Sequence, residues 1–502
     1  MSNYLKKENS LYLNNSLNSL VNWYSWNPES LQKAQQEEKP IFLSIGYSGS
    51  YWCEVMQEES FHNETVADML NQHFIPIKVD KDERADIDKY YKQVYQLMNG
   101  QACASPVSIF LTENLEPFYS AAYIAPYPKG NVLGFEELLK VVIDKYAHDK
   151  ATMIKKGQEV RSYLNPKKLK IEATRLNLSM LYTVQLHAKE LFDPEYGGFG
   201  AEPKFLHIST LELLLDTYEA TQDKELLTMV EKTLQYLYEA EIYDAKQGGF
   251  YRYANQKDWS LPRQEKTTYD NALIASLYWR IFQLTQNIFY KSVAQQVVNF
   301  MLIDMQEADL FYSNSVVKKN GELIIDKKIV TAYNAMMITT LFEMGKTEDQ
   351  YTQQAIASLD QLLEQAYPHD QLFHTDNIKG FLEDYAYLGL ALLAAYRTTQ
   401  NQRYLILAET LANQSIEQFY DYGFWKFSND SIVVYDDIYD PLYPSAMATM
   451  LLFLHQLSFF IDSDYNQMVF RTLEINSYQL MRQPISSPKM SQVLVRHLKK
   501  ML

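Results

Sequence analysis

The C-terminal two thirds of the chain repeat one short pattern, an aromatic turn between stretches of helical periodicity. Five such turns recur at intervals of 51, 61, 62 and 51 residues, and they are centred on Phe199, Phe250, Phe311, Phe373 and Phe424. Such an interval holds two helices with their loops, and a helical hairpin cannot bury its apolar face alone. A weaker sixth hairpin follows toward the C-terminus. The repeat therefore predicts about twelve helices, stacked as hairpins in a closed (α/α)6 barrel or in an open solenoid.

The N-terminal part has a different pattern, in which a short apolar strand runs directly into a helix at residues 39–61, KPIFLSIGYSGSYWCEVMQEESF. Around it, periodicity and turn residues predict the element order α, β, α, α, β, α, β, β, α, which is the plan of a thioredoxin fold. Pro106 precedes the third predicted strand, where that fold places a cis-proline. We predict a thioredoxin-like domain over residues 1–165 and the helical barrel over residues 166–502.

The amino-acid composition narrows the classes of molecule that this protein is predicted to bind. Lys and Arg number 46 against 62 Asp and Glu, and the resulting net charge of −16 argues against nucleic-acid binding. Two cysteines fit a reducing compartment rather than a disulfide scaffold. No eighteen-residue apolar run and no secretory leader pattern occurs, so we predict no membrane partner and a cytoplasmic location.

Cys53 falls in the first turn of the predicted helix, where the helix dipole favours a thiolate. A redox thioredoxin would have a second cysteine at position 50, but Ser50 stands there. Serine caps a helix well but cannot resolve a mixed disulfide, and the adjacent Glu54 opposes ionisation of the thiol. We therefore predict a packed Cys53 without dithiol activity. The alternatives are monothiol redox chemistry and a disulfide with Cys103.

Several segments resemble the YyaL-type family, also called the spermatogenesis-associated thioredoxin-like family, in which a thioredoxin-like domain is fused to an (α/α)6 barrel. The matching segments include IKVDKDERADIDKYY, GQACASPVSIFLT, LFDPEYGGFGAEPKFLH, KGFLEDYAYLGLALL and YDPLYPSAMATMLLFL. Where the family has CHWCH this chain has SYWCE, so the resemblance implies a degenerate motif at Ser50, Trp52, Cys53 and Pro106. Arg263 stands where the family has a histidine. The resemblance favours a closed barrel like those of glycosidases and sugar epimerases, although the segment after Pro444 is shorter than usual.

In such a barrel the inner helices begin at one mouth, so polar residues at their starts are predicted to converge on a pocket. The predicted catalytic residues are Asp270, Asp384, His207 and Glu383, with Glu265, Asp326 and Asp440 as further carboxylates. The residues predicted to bind ligand are Lys204, Arg263, Tyr269, Asn271, Tyr333, Asn334, Tyr385 and Ser445. Paired carboxylates suit glycoside cleavage, whereas histidine suits sugar isomerisation. The alternative is that these residues only cap helices.

We expect the barrel mouth to bind a saccharide-like small molecule, and the sequence leaves open whether it hydrolyses, isomerises or only binds it. The alternative is a non-catalytic protein-binding or chaperone-like module whose thioredoxin surface recognises a protein partner. The sequence has no CxxC or HExxH motif and no phosphate loop, so we predict no metal and no cofactor.

Overall fold

The computed structural model describes residues 4–6, 8–168, 170–318, 320–430 and 432–500 of the chain. The outer ends of the two predicted domains, residues 1–3 and 501–502, lie outside this range. The chain divides into two compact units, Met1–Lys170 and Ile171–Leu502. Within the described ranges, no helix has the length and apolar character needed to cross a membrane.

The first unit is built on a four-stranded sheet with the order β2-β1-β3-β4. Strand β1 runs parallel to β2 and antiparallel to β3, and β4 pairs antiparallel with β3. The strands are β1 Ile41–Gly46, β2 Ile75–Asp80, β3 Val107–Leu111 and β4 Pro117–Ala121. All of β1 is buried, as its nearly continuous apolar run predicts. This sheet confirms the predicted thioredoxin-like fold.

Helices accompany the sheet through the described part of the first unit, and local sequence signals set several of their starts. Helix α2 begins at Pro28 after the cap Asn27, and α4 begins after the cap Asn63. The helices are α1 Leu11–Asn14, α2 Pro28–Glu37, α3 Tyr51–Glu59, α4 Glu64–His73, α5 Ala85–Asn99, α6 Phe135–His148 and α7 Lys150–Tyr163. Helices α1 and α7 add to the predicted order at its two ends.

The core of the first unit is aromatic. The Phe42 ring lies 5.1 Å from that of Phe110 and 5.4 Å from that of Phe135, and the Trp23 ring lies 4.8 Å from that of Phe61. Burial of each such side chain stabilises the fold by about 1.5–3 kcal/mol. This packing fixes β1, and with it the loop that leads to α3.

The second unit consists of an inner and an outer layer of helices. The helices are α8 Met180–Leu191, α9 Ile208–Thr221, α10 Lys224–Glu239, α11 Thr268–Thr285, α12 Ile288–Asp304, α13 Thr331–Gly345, α14 Asp349–Ala366, α15 Leu382–Thr399, α16 Gln402–Phe419, α17 Ala446–Leu457, α18 Tyr465–Ile475, α19 Ser477–Arg482 and α20 Pro488–Lys500. The inner helices α9, α11, α13, α15, α17 and α20 pack in that order, and α20 also packs against α9. The ring is therefore closed, and the prediction of an (α/α)6 barrel is confirmed over the open solenoid.

The aromatic turns contain short strands that the sequence did not predict. Each turn connects the end of an outer helix to the segment that precedes an inner helix. The strands are β5 Lys204–Phe205, β6 Tyr253–Ala254, β7 Glu265–Thr267, β8 Gln306–Glu307, β9 Leu310–Phe311, β10 Asn314–Val317, β11 Leu323–Asp326, β12 Phe373–Thr375, β13 Ile378–Lys379, β14 Tyr420–Asp421, β15 Phe424–Asn429 and β16 Val433–Tyr435. Most have only two to four residues, too few for a periodicity that sequence reading could detect.

Candidate functional site

In the first unit, Ser50 joins the start of α3 to the proline loop. Its hydroxyl oxygen accepts a hydrogen bond from the backbone N–H of Cys53 at 3.3 Å. The same hydroxyl donates to the backbone carbonyl of Ser105 at 3.3 Å, and the Ser105–Pro106 peptide bond is cis. Ser50 therefore has the predicted cap role, and it ties the helix to the predicted cis-proline.

Cys53 is a packed thiol. Its side chain is 5% exposed, and a Cβ atom placed on Gly46 would lie 2.4 Å from its Sγ atom and 2.5 Å from the Tyr12 hydroxyl. Burial raises the pKa of the Cys53 thiol above its ordinary value, although the hydrogen bonds of Ser50 and Tyr47 oppose this change. Burial likewise raises the pKa of the half-buried Cys103 to about 11. Both cysteines are free thiols, so the disulfide alternative is wrong.

A buried lysine lies behind this thiol, and sequence reasoning did not single it out. Lys78 on β2 is 2% exposed, and its Nζ atom donates to Ser16 Oγ at 2.5 Å and to Gln57 Oε1 at 2.8 Å. The same atom lies 4.6 Å from the centre of the Tyr12 ring. Burial lowers the pKa of Lys78 to about 7, while the nearby Cys53 opposes this change.

Trp52 turns away from this core. Its side chain is 50% exposed, and its ring lies 5.3 Å from the Tyr51 ring and 5.2 Å from the Tyr123 ring. The Tyr123 hydroxyl donates to Glu59 at 2.6 Å. These three rings form an aromatic surface beside the start of α3.

In the second unit, the structure brings three of the predicted residues together with one that was not predicted. The rings of Tyr269 and Tyr333 lie 5.0 Å apart, and Tyr443 lies 4.8 Å from the first and 5.8 Å from the second. The Tyr443 hydroxyl donates to Glu383 Oε2 at 2.9 Å. We call Tyr269, Tyr333, Tyr443 and Glu383 the tyrosine–glutamate cluster. Because its members precede or begin different inner helices, it lies at the predicted mouth of the barrel.

Glu383 is the chemically unusual member. Its side chain is 2% exposed, and its Oε1 atom is buried without a hydrogen-bond partner, 3.9 Å from His374 Nδ1. Burial raises the pKa of Glu383 to about 7, and the charges of Asp384 and Asp436 act in the same direction, whereas His374 and the Tyr443 hydroxyl oppose it. At neutral pH this carboxyl group can therefore both give and take a proton.

Two further carboxyl groups act on Tyr387, whose ring lies 6.3 Å from the Tyr443 ring. Burial raises the pKa of Tyr387, and the charges of Glu383, Asp440 and Glu212 raise it further, whereas the Thr449 hydroxyl opposes this change. Asp440 accepts the backbone N–H groups of Ser445 at 2.8 Å and Lys489 at 2.9 Å, and burial nevertheless raises its pKa to about 6.

Glu212 differs because it faces cations. Lys489 Nζ donates to its Oε2 atom at 3.0 Å. Burial alone would raise the pKa of Glu212, but the charges of Lys489 and Arg280 outweigh burial and lower it. The barrel therefore contains one carboxyl group, Glu383, whose raised pKa lets it hold a proton near neutral pH, and another, Glu212, whose lowered pKa favours the ionised form, a combination suited to acid and base roles.

Two predicted catalytic carboxylates make hydrogen bonds at helix starts. Asp270 accepts the hydroxyl of Thr267 at 2.6 Å, and that hydroxyl caps α11. Asp384 accepts the backbone N–H groups of Phe381 at 2.8 Å and Ala332 at 3.1 Å, and it lies 2.9 Å from His374 Nδ1. Its bond to Ala332 joins the starts of α15 and α13. These bonds favour the capping interpretation for Asp384, whereas Asp270 supports the cap residue Thr267.

Asn271 and Asn334 perform one structural task in successive repeats. Asn271 Oδ1 accepts the N–H of Phe250 at 2.7 Å, and its Nδ2 donates to the carbonyls of Phe250 and Thr267. Asn334 makes the same three bonds to Phe311 and Val330. Both side chains hold an aromatic turn against the inner helix. Ser445 is likewise a cap, which accepts the N–H of Ala448 at 3.1 Å.

Lys204 and Tyr385 make contacts away from the cluster. Lys204 Nζ donates to Asp193 at 2.7 Å and lies 4.7 Å from the centre of the Trp259 ring. The Tyr385 hydroxyl accepts a bond from Gln418 at 3.0 Å, and its ring packs against Phe419. Both of these partners of Tyr385 belong to the outer helix α16. The structure thus gives Lys204 and Tyr385 packing roles within the barrel wall.

The remaining two predicted residues lie near helix or strand starts. His207 is exposed in front of α9 with a φ of 47°. Arg263 lies between β6 and β7, and its backbone N–H donates to the carbonyl of Tyr253 at 3.1 Å.

Sequence reasoning missed His374, Tyr443 and Glu212 and did not count Asp440 among the catalytic residues. His374 directly follows the turn residue Phe373, and Tyr443 belongs to the segment YDPLYPSAM, so both lay within patterns that the sequence displays. In the part of the chain that the structure covers, no three His, Cys, Asp or Glu side chains converge to hold a metal ion.

Comparison with known proteins supports both units. Residues 2–165 match the family described as "Thioredox_DsbH: Protein of unknown function, DUF255". The chain is 34% identical over 289 residues to "Uncharacterized protein B0495.5" of Caenorhabditis elegans, a match that covers 57% of this chain and 39% of that protein. It is 33% identical over 311 residues to "Spermatogenesis-associated protein 20" of Homo sapiens, with coverage of 60% and 39%. The matches thus span well under half the length of these relatives.

Solved structures resemble the barrel. A sugar epimerase from a ruminal bacterium has a TM-score of 0.53 at 10% identity, with 64% of this chain and 97% of that chain covered. A D-mannose isomerase has a TM-score of 0.51 at 13% identity, with 65% and 98% covered. The GH76 alpha-mannanase BT2949 of Bacteroides thetaiotaomicron has a TM-score of 0.50 at 12% identity, with 64% and 95% covered. At such identities the likeness establishes the fold alone.

The burial of Cys53 predicts slow alkylation. In the native Cys103→Ser variant at pH 8, we expect iodoacetamide to modify Cys53 at least about tenfold more slowly than after denaturation, because the thiol is both inaccessible and protonated. Mass spectrometry of timed samples measures the rate. The Cys53→Ala variant, which keeps Cys103, gives the labelling rate of Cys103 alone. Native labelling as fast as that of the unfolded chain would contradict the packed-thiol assignment.

The raised pKa of Glu383 predicts a pH-dependent stability. Between the ordinary value of 4.5 and the folded value of about 7, the folded protein holds a proton that the unfolded chain has released. The free energy of unfolding therefore falls as pH rises through this window, by at most about 3 kcal/mol. Glu383→Gln has no such carboxyl group and therefore does not lose this stability. The difference in melting temperature, variant minus wild type, should thus be larger at pH 8 than at pH 5. The exposed Glu417→Gln is the control, and a pH-independent difference would refute the assignment.

Proposed function

We propose that the helical barrel of this chain, which resembles spermatogenesis-associated protein 20 over 60% of its length, binds a saccharide-like small molecule and transforms it by proton transfer at Glu383. The observation that carries this proposal is the buried Glu383 carboxyl group, whose Oε1 atom has no hydrogen-bond partner and which lies among tyrosine rings at the starts of inner helices. The matched part of the chain covers 39% of the length of its curated relatives. Any activity that the chain shares with those whole proteins is therefore a proposal.

The ligand class follows from the side chains and the fold together. Tyrosine offers an apolar ring face with a hydroxyl at its edge, which suits the alternating C–H and O–H surface of a sugar. Three proteins with this barrel fold are a sugar epimerase, a D-mannose isomerase and an alpha-mannanase. The side chains of the cluster favour a saccharide over a nucleotide, because its four residues include a carboxyl group and no cation that would bind a phosphate.

The proton steps use groups with opposite electrostatic environments. Glu383, whose pKa is raised to about 7, exchanges a proton with the ligand near neutral pH, and the Tyr443 hydroxyl stabilises its carboxylate form. Glu212, ionised by Lys489, and Asp440 are the bases available to accept a proton from the ligand. A general acid or base of this kind typically contributes about 10²–10⁴-fold to the rate.

We propose no dithiol exchange for the first unit. Ser50 occupies the position that a second thiol would need, and both of its hydroxyl bonds serve structure. The single thiol, Cys53, is buried with a raised pKa. An exchange reaction would lack both a resolving thiol and an accessible nucleophile.

A saccharide screen tests the main proposal. We expect at least one of D-glucose, D-mannose, cellobiose and α-1,6-mannobiose to raise the melting temperature of the wild type and to be converted, as proton NMR of the sugar would detect. Glu383→Gln should lower the conversion rate about 100-fold or more while the protein stays folded. The Glu417→Gln variant should match wild type. The proposal would be overturned if none of the four sugars bound, or if Glu383→Gln converted the sugar at the wild-type rate.

The exposed aromatic surface favours a second candidate function, recognition of a protein partner by the first unit. Half of the Trp52 side chain is exposed beside Tyr51 and Tyr123, and buried aromatic anchors dominate binding at protein interfaces. In crosslinking with the full chain, Trp52→Ala should lose a specific partner that binds wild type. The control is Tyr182→Ala, an exposed aromatic residue in the second unit. Equal crosslinking by both variants would remove this function.

A further inference from the structure

The tyrosine–glutamate cluster has the composition of a site for an organic ammonium group. We propose that the ligand of the barrel mouth is an amino sugar, whose protonated amine binds Glu383 Oε1 beside the rings of Tyr269, Tyr333 and Tyr443. This inference rests on the proposed saccharide function and specifies its substrate class.

The first argument is the state of the Glu383 carboxyl group. Its Oε2 atom accepts the Tyr443 hydroxyl at 2.9 Å, but its buried Oε1 atom accepts no hydrogen bond. A buried carboxylate oxygen without a donor loses the hydration that it had in water and gains nothing in return. A donor supplied by the ligand would remove this cost, and a charged N–H donor would do so most effectively.

The second argument is the balance of charge around that oxygen. The charges of Asp384 and Asp436 raise the pKa of Glu383, and that of the His374 imidazole lowers it. His374 Nδ1 lies 2.9 Å from Asp384 and 3.9 Å from Glu383 Oε1, so its hydrogen bond goes to Asp384 rather than to Glu383. With Glu383 itself, three carboxyl groups thus face one imidazole, and a cation at Oε1 would offset this excess of acidic groups.

The third argument separates an organic cation from a metal ion. Among the residues that the structure describes, no group of three His, Cys, Asp or Glu side chains is placed to hold a metal. Instead, three tyrosine rings pack within 4.8–5.8 Å of one another beside the carboxylate. Aromatic faces attract ammonium groups, and they bind the C–H face of a sugar ring as well. A sugar that carries an amine uses both properties.

Matched pairs of sugars test the inference. At pH 7, titration calorimetry of the full chain should give D-glucosamine a Kd about tenfold lower than D-glucose, and D-mannosamine the same advantage over D-mannose. N-acetyl-D-glucosamine, which keeps the nitrogen but has no charge, should bind no better than D-glucose. D-glucose 6-phosphate should bind more weakly than any of these.

Variants identify the group responsible. Glu383→Gln keeps the size of the side chain and removes its charge, so the ratio between the amino sugar and its parent should fall to about one. Glu417→Gln changes an exposed carboxylate on α16 and should retain the preference.

The outcomes separate this inference from the function on which it rests. If the parent sugars bind and the amino sugars gain no advantage, the ammonium site is overturned while saccharide binding stands. The ammonium site is likewise overturned if Glu383→Gln retains the full preference. If neither parent nor amino sugars bind, both the inference and the proposed function fail.

Discussion

The structure of the barrel depends on hydrogen bonds to the backbone N–H groups at the starts of its inner helices. Those starts are buried, so the first N–H groups cannot turn to water and need acceptors from side chains. Thr267, Asp384 and Ser445 supply such acceptors at α11, α15 and α17. Most polar residues at the mouth are therefore required for folding. Glu383 stands next to Asp384, which already meets the need of α15, and so its own carboxylate is available for another purpose.

The same requirement explains why the repeat keeps its form around the ring without repeating a binding site. Asn271 and Asn334 each use a whole amide group to hold an aromatic turn to its helix. Lys204 bonds to Asp193 in one turn, and Lys266 bonds in the same way to Asp244 in the next. These bonds make each helical hairpin fit its neighbour around the ring. The asparagine amides and the lysine–aspartate pairs, which recur with the same bonds, are therefore evidence for architecture.

Local chemistry made the fold predictable, whereas the site depended on distant contacts. The strand order, the Ser50 cap and the helical hairpins follow from short patterns, and the structure has them. The bond of Tyr385 to Gln418 on another helix could not be read from the sequence, because it joins residues 33 positions apart. Tyr443 was missed because it reaches Glu383 across 60 residues of chain. Sequence reading placed Glu383, Tyr269 and Tyr333 at the mouth, but it could not tell their role from that of the caps around them.

The two units also differ in whether a buried ionisable side chain has hydrogen-bond partners for all of its polar atoms. In the first unit, burial lowers the pKa of Lys78, yet its amine has hydrogen-bond partners in Ser16 and Gln57 and an aromatic face in Tyr12. The cost of burying Lys78 is offset within the protein itself. Burial raises the pKa of Glu383 in the second unit, but one of its oxygens has no such compensation. A buried polar atom that the fold leaves unsatisfied is retained at a cost in stability, and binding of a ligand is the physical process that can recover that cost. The unsatisfied oxygen of Glu383 thus distinguishes the barrel from the first unit, and it is the observation on which the proposed ligand site rests.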